Sequence, residues 1–359
     1  MKIELVSHAC IQVENKEGRR LLTDPWLLSS VFFSSWYLCP EPKITNDIFN
    51  KTDYIYLTHW HFDHFDYKSL RKFDKKTRIF IPKFPSSIMK KELEELGFHN
   101  VCEMIHKKEY KLSENFSIIS HQVEHHDDSI LIIKVDGKIL INLNDAKPLP
   151  SSWKWLKKNF TNPEFMFRSH SIAWSFPTRY KLDQADKYIF SKELYFKEYM
   201  HTMNELNPKY SIPFASYVCH LHKENFEDNN YLITPYELNN FLKDNYSGNS
   251  KFVIMNPGGK YSLDKGFYEI ENYDLKKEVL MLKLKYETYL ENVYEKEKKT
   301  EFDFEILNRY FQEFFKSIRL IKFTIKNIIW FFDIGDRKFK IDFYNKKVEE
   351  VFSFNNISY

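Results

Sequence analysis

The sequence predicts an α/β fold: a sandwich of two β-sheets with helices on its outer faces, extended by a small C-terminal α+β domain. Three observations carry this prediction. Strand-like and helix-like pieces of five to ten residues alternate through most of the chain, the pattern of layered sheet and helix. A length of 359 residues exceeds one ordinary core, and 43% apolar with 18% aromatic residues suffices to build a sizeable one. From Tyr268 the composition shifts to dense charge, which divides the chain into a first domain over 1–267 and an accessory domain over 268–359.

Lys2 to Val6 alternates as a strand, followed by Ala9 to Val13, a turn at Asn15 to Gly18, and Arg20 to Thr23. Asp24-Pro25-Trp26 stops it, because proline cannot donate to a ladder. The aromatic run Val31 to Tyr37 is too irregular for a strand and reads as the wall of a cleft or as core. Tyr54 to Thr58 is a strand, Asp66 an N-cap before a short helix, Arg78 to Pro82 a strand, and Ser86 to Leu96 a helix closed by Gly97. Strands follow at Val101 to Ile105, Phe116 to Ser120, Ile130 to Val135 and Lys138 to Leu143, then a helix holding Trp153 and Trp155 and the segment Phe165 to Ser171. Lys192 to Leu206 and Thr234 to Lys243 read as helices, Tyr210 to Pro213 and Lys251 to Met255 as strands, and Asn256-Pro257-Gly258-Gly259 ends the domain. In the accessory domain, helices over Lys276 to Lys299 and Phe302 to Phe315 precede a meander of Leu320 to Ile325, Ile328 to Asp333 and Lys338 to Phe343, with Gly335-Asp336 as a hairpin turn. That domain holds no histidine, which suits a lid or a homodimer element.

Charge is balanced at +3 with both signs interspersed, which gives no reason to expect nucleic acid and only a slight allowance for an anionic substrate. No apolar signal region opens the chain, and Leu320 to Phe332 is short and broken by Lys322 and Lys326, so a cytoplasmic protein without a membrane span is expected. Four scattered cysteines without a Cys-x-x-Cys pair fit a reducing compartment.

Chemistry concentrates in Thr58-His59-Trp60-His61-Phe62-Asp63-His64-Phe65-Asp66. Three imidazoles and two carboxylates without cysteine form a ligand set for zinc or iron. Continued extended geometry puts His59 and His61 on one side, converging on one ion, while the turn before Asp66 aims Asp63 and His64 at a second position. The alternative is a polar loop rich in histidine. A second constellation, Ser120-His121-Gln122-Val123-Glu124-His125-His126-Asp127-Asp128-Ser129, precedes a strand, and Asn144-Asp145 ends the next one. A third is Cys219-His220-Leu221-His222.

The His-x-His-x-Asp-His signature resembles that of the metallo-β-lactamase superfamily. With Ser7-His8-Ala9-Cys10, Thr23-Asp24-Pro25-Trp26-Leu27, Pro213-Phe214-Ala215-Ser216-Tyr217 and Asn256-Pro257-Gly258, the chain looks most like the catalytic domain of the CMP-N-acetylneuraminate hydroxylases. The resemblance implies an αββα sandwich with a dinuclear centre. His59, His61 and His125 would hold one ion, and Asp63, His64 and His222 the other, with Asp145 bridging. His121 and His126 are alternatives to His125, and His220 to His222. Asn144 stands where the superfamily has glycine. The resemblance also places Asp24 and His8 near the metals, although a turn-capping aspartate and a buried, hydrogen-bonded histidine are equally good readings. Asp63, His170 and Tyr217 are the candidate catalytic residues; His170 falls where the hydroxylases carry aspartate.

The hydroxylases carry a Rieske domain, whose paired Cys-x-His and Cys-x-x-His ligands are missing from this sequence. An oxygenase of this kind would draw electrons from an external ferredoxin or Rieske-type protein. The expected function is therefore that of a diiron oxygenase acting on a small molecule, a sugar nucleotide or natural-product intermediate. The alternative is a dizinc hydrolase of a phosphodiester, lactone or amide. A binding protein on a dead fold would have lost ligands, and all seven are present.

Overall fold

The computed structural model describes residues 1–28, 30–123, 128–171, 192–317, 328–334 and 337–352. The expected strand Leu320 to Ile325, the Gly335-Asp336 turn, and His125 and His126 lie outside them. By internal contacts the chain forms two compact units, Met1–Tyr286 and Glu287–Tyr359.

The first unit is built on two sheets. The first contains β1 (Lys2–Ser7), β2 (Cys10–Glu14) and β3 (Arg20–Thr23). The aromatic run expected to be irregular instead forms a small hairpin, β4 (Ser30–Val31) and β5 (Trp36–Leu38). Its turn holds Phe32, Phe33 and Ser34 at φ of 50°, 56° and 66°, a left-handed run that alternation cannot reveal. After α1 (Asn46–Asn50) come β6 (Tyr54–Tyr56), α2 (Tyr67–Leu70), β7 (Arg78–Pro82), α3 (Ile88–Glu95) and β8 (Val101–Met104). The second sheet is drawn from β9 (Glu109–Ser113), β10 (Phe116–Val123), β11 (Asp128–Val135), β12 (Lys138–Asn144), β13 (Phe165–Ser169), β14 (Tyr210–Phe214) and β16 (Lys251–Phe252). Its helices are α4 (Pro150–Asn159), α5 (Lys192–Leu206) and α6 (Pro235–Asn245), and β15 (Val218–Cys219) pairs with β5. The Asn256 to Gly259 breaker does not end the sheet. β17 (Lys260–Ser262) and β18 (Gly266–Tyr268) return to pair beside β1, too short to show alternation, and α7 (Leu275–Lys285) closes the unit.

The first sheet runs β18-β17-β1-β2-β3-β6-β7-β8 and the second β16-β14-β13-β12-β11-β10-β9. Period-two burial explains the layering: Ile3, Leu5, Ile11, Val13 and Phe80 face Ile118, Leu131, Phe167 and Ile212 between the sheets. On the outer face of the first sheet Val6, Leu22, Ile55 and Ile79 meet Leu70, Phe73 and Leu93. On the outer face of the second, Ile132, Ile141 and Met166 meet Leu156, Tyr199, Met203 and Leu238. The order is helix, sheet, sheet, helix.

The second unit consists of α8 (Glu287–Lys299), α9 (Phe304–Ser317) and an antiparallel sheet of β19 (Ile329–Ile334), β20 (Arg337–Asp342) and β21 (Lys347–Val351). The helical run expected over Lys276 to Lys299 is broken at Tyr286. Phe311, Phe315, Ile341 and Phe343 form the unit's core.

Candidate metal centre

The titratable side chains collect where strands finish. β3 and β6 are parallel neighbours, as are β12, β13 and β14, so within each set the carboxyl ends lie together. Asp24 follows β3, Thr58 and His59 follow β6, Asn144 and Asp145 end β12, and His170 follows β13. His8, in the turn between β1 and β2, is tied to the end of β14 by Ala215 N–H donating to its carbonyl at 2.7 Å. Asp24, Asn144 and Ala215 all have positive φ, at 38°, 40° and 52°. Non-glycine residues rarely hold this conformation, and it gathers at functional sites. Asparagine tolerates it well, which accounts for Asn144 where glycine is usual. Its Oδ1 accepts from the N–H groups of Asp145 and Ala146, and its Nδ2 donates to Ser129 O.

Among the described residues two groups of ligand atoms form. His59, His61 and Asp145 each offer an atom within 4.8 Å of the others, and so do His8, Asp63 and His64. In the first group His59 Nε2 lies 2.8 Å from His61 Nδ1. His59 Nδ1 stands 3.3 Å from Asp128 Oδ1 and 3.0 Å from Thr58 Oγ1, so its proton belongs there and Nε2 keeps its lone pair. In the second group Asp24 does the same for His64. Its carboxylate accepts from Thr58 N–H at 2.7 Å and Thr58 Oγ1 at 2.8 Å and lies 3.1 Å from His64 Nδ1. His64 Nε2 is then left facing Asp63 at 3.5 Å and Asp145 at 3.7 Å, and His8 Nε2 lies 3.2 Å from Asp63. Asp24 thus ties the end of β6 to His64 and orients that ring.

Burial opposes charge on His64, yet Asp63, Asp145 and Asp24 hold its pKa up to about 10. Burial also opposes ionisation of Asp63 and Asp145, but the imidazoles keep both carboxyls low, His64 and His8 acting on Asp63, and His59 and His64 on Asp145. Among the described residues, His64 Nε2, Asp145 Oδ1 and His8 Nδ1 are buried without a hydrogen-bond partner. Convergent lone pairs, ionised carboxylates and orphaned buried atoms fit a pair of divalent cations.

Seven residues named from sequence take part or stand beside the groups: His8, His59, His61, Asp63, His64, Asp145 and Asp24. Others do not. His121 points to the outer face, its Nε2 2.7 Å from Ser152 Oγ and its ring stacked on Trp155. His220 and His222 join neither group. Pairing of β15 with β5 brings His220 Nδ1 to 3.1 Å from Ser35 O, and half-buried His222 accepts from Glu224 N–H. The buried ring of His170 packs against Tyr217 at 5.1 Å, and among the described residues neither of its nitrogens makes a hydrogen bond of ordinary geometry. The Tyr217 hydroxyl donates to Asn256 Oδ1 at 3.2 Å. Asp128 escaped the sequence reading, although it lies in the His125-His126-Asp127-Asp128 run that drew attention to the region.

No family model matches the chain. It is 26% identical to cytidine monophosphate-N-acetylneuraminic acid hydroxylase of Macaca mulatta over 283 residues, covering 74% of this chain and 46% of that protein. It is 31% identical over 159 residues to a protein of Mycolicibacterium smegmatis named as a Rieske 2Fe-2S iron-sulfur protein, covering 42% and 30%. The chain spans under half the length of these two relatives. Similar solved structures include a possible metal-dependent hydrolase from Veillonella parvula DSM 2008, with TM-score 0.55, 13% identity and coverage of 73% and 99%. Another is the isothiocyanate hydrolase from Delia radicum gut bacteria, with TM-score 0.53, 16% identity and the same coverage. The chain has the metallo-β-lactamase fold and is similar in sequence to the cytidine monophosphate-N-acetylneuraminic acid hydroxylases.

Proposed function

We propose that this protein is a dinuclear metal enzyme that hydroxylates a small molecule, with iron as its metal and electrons delivered by a separate ferredoxin or Rieske-type protein. The observation that carries the reading is the 26% identity to the hydroxylase over 74% of the chain. The ligand chemistry supports it, since imidazole and carboxylate without thiolate suit iron(II) as well as zinc. His59, His61 and Asp145 would hold one ion, with His125 as a further nitrogen ligand. Asp63 and His64 would hold the other with His8, which lies beside them as His222 does not. Asp145, 3.7 Å from His64, would bridge.

Bound there, the two ions would supply Lewis acidity and, as iron, electrons to dioxygen. The chain's own residues do the rest. Asp128 and Asp24 orient His59 and His64 through their Nδ1–H groups, so that each would turn Nε2 inward, with a cation taking the place of the proton that the carboxylates otherwise hold on His64. His170, kept neutral at a pKa of about 3 by burial and then by His8, would accept a hydrogen bond from substrate rather than take up its proton.

A dizinc hydrolase of a phosphodiester, lactone or amide is the second reading, favoured by the names of the two structural neighbours. Reaction type separates the two. Iron-loaded protein with a reduced ferredoxin should consume dioxygen, above the rate of the ferredoxin alone, at a rate that falls when Asp145 is changed to Ala. Turnover of a generic phosphodiester or lactone by zinc-loaded protein, with no dioxygen uptake by the iron form, would establish the hydrolase instead.

A further inference from the structure

We propose that Arg168 is a binding residue for an oxyanion, a carboxylate or phosphate group, beside the strand end that carries Asn144 and Asp145. Arg168 lies on β13, one residue short of its end, and is 6% exposed. Fully buried arginines are almost always paired with a carboxylate, because stripping water from an uncompensated guanidinium costs several kcal/mol. No ion pair to Arg168 exists among the described residues. Nη1 donates to Thr202 Oγ1 at 2.6 Å, the guanidinium stands against the Tyr195 hydroxyl, and Nε is buried with no hydrogen-bond partner among the described residues.

A guanidinium offers five N–H donors in a planar fork. One bond to Thr202 on α5 would be made as well by a neutral side chain, so packing helix on sheet does not account for the charge. The fork matches a two-oxygen acceptor, which both carboxylates and phosphates provide. Its place gives that acceptor a role. Arg168 is the cross-strand partner of Asn144, the residue before Asp145, and Tyr195 lies within electrostatic reach of both Arg168 and Asp145. An anionic group held there would set the rest of the molecule against the proposed ions. This role rests on the dinuclear reading, but the binding itself does not.

The test uses full-length protein as purified, titrated calorimetrically with inorganic phosphate and separately with acetate, against sodium chloride at equal ionic strength. We expect saturable binding of at least one probe, weakened about ten- to hundredfold in R168M, the span of one or two charge-assisted hydrogen bonds. Phosphate alone would mark a phosphate ester as the preferred group, and acetate alone a carboxylate. No saturable binding by the wild type, or equal affinity in R168M, would overturn the proposal, the latter placing the anion on the metals or elsewhere. Should R168M fail to melt cooperatively, R168K decides, since lysine keeps the charge and loses the fork: about tenfold weaker binding supports the proposal and unchanged binding sinks it. Failure of the metal-centre reading would show instead as missing metal, with the arginine-dependent binding intact.

Discussion

The first unit contains two histidine groups of opposite character. Around His64, carboxylates from three separate segments hold the imidazole at a pKa of about 10 in spite of burial. Around His121 no carboxylate among the described residues acts on the ring. Burial, then His106 and Lys107, pushes it down to about 3, and the ring lies between Trp155 and His106. Both groups come from histidine-rich runs that looked alike in sequence. The carboxylates, not the histidines, mark the place where a cation belongs.

The sharpest way to break this contrast is to remove Asp145, the carboxylate of the first ligand group that also lies 3.7 Å from His64 of the second. Asp145→Ala should cost both ions and lower activity more than about a hundredfold, read by metal analysis and turnover, since ligand loss exceeds the ten- to hundredfold typical of an orienting partner. Asp24→Asn removes such a partner. It should weaken the ion held by His64 about ten- to hundredfold and spare the one held by His59 and His61, seen as stepwise release during chelator titration. Asn144→Ala should destabilise by about 2 kcal/mol in denaturant unfolding, from left-handed strain and lost hydrogen bonds, whereas Asn144→Gly loses only the hydrogen bonds.

The smallest effect belongs to the carboxylate-free group. The folded pKa of His121, about 3, lies below its ordinary 6.5, so the unfolded chain takes up a proton that the fold refuses. Its contribution is whole above pH 6.5 and is lost progressively as pH falls toward 3. His121→Gln should therefore flatten the loss of thermal stability between neutral and acid pH, and an unchanged slope would count against the contrast.

Much of this was legible in the chain. His59, His61, Asp63 and His64 were marked by spacing behind a strand, and Asp145 by its place at a strand end. The position of His8 beside Asp63 was given only by resemblance, with a buried, hydrogen-bonded histidine as an equal reading. It depends on β1 of one sheet meeting β14 of the other through Ala215, a contact between residues over two hundred positions apart. His222 looked the better ligand because local order favoured it, while the pairing of β15 with β5 governs where that loop goes. The hairpin β17 and β18 escaped because strands of three residues carry no measurable period. Asn144 looked like a departure from pattern until its φ of 40° showed the same backbone need that glycine serves elsewhere.

The most direct test of the central claim is metal analysis of the protein purified without added metal, paired with its visible spectrum in air. Two ions per chain, with iron predominant and a ferric absorption band lost together with both ions in Asp145→Ala, is the predicted result. A chain that retains no metal, or one whose metal content is untouched by Asp145→Ala, would contradict the dinuclear centre.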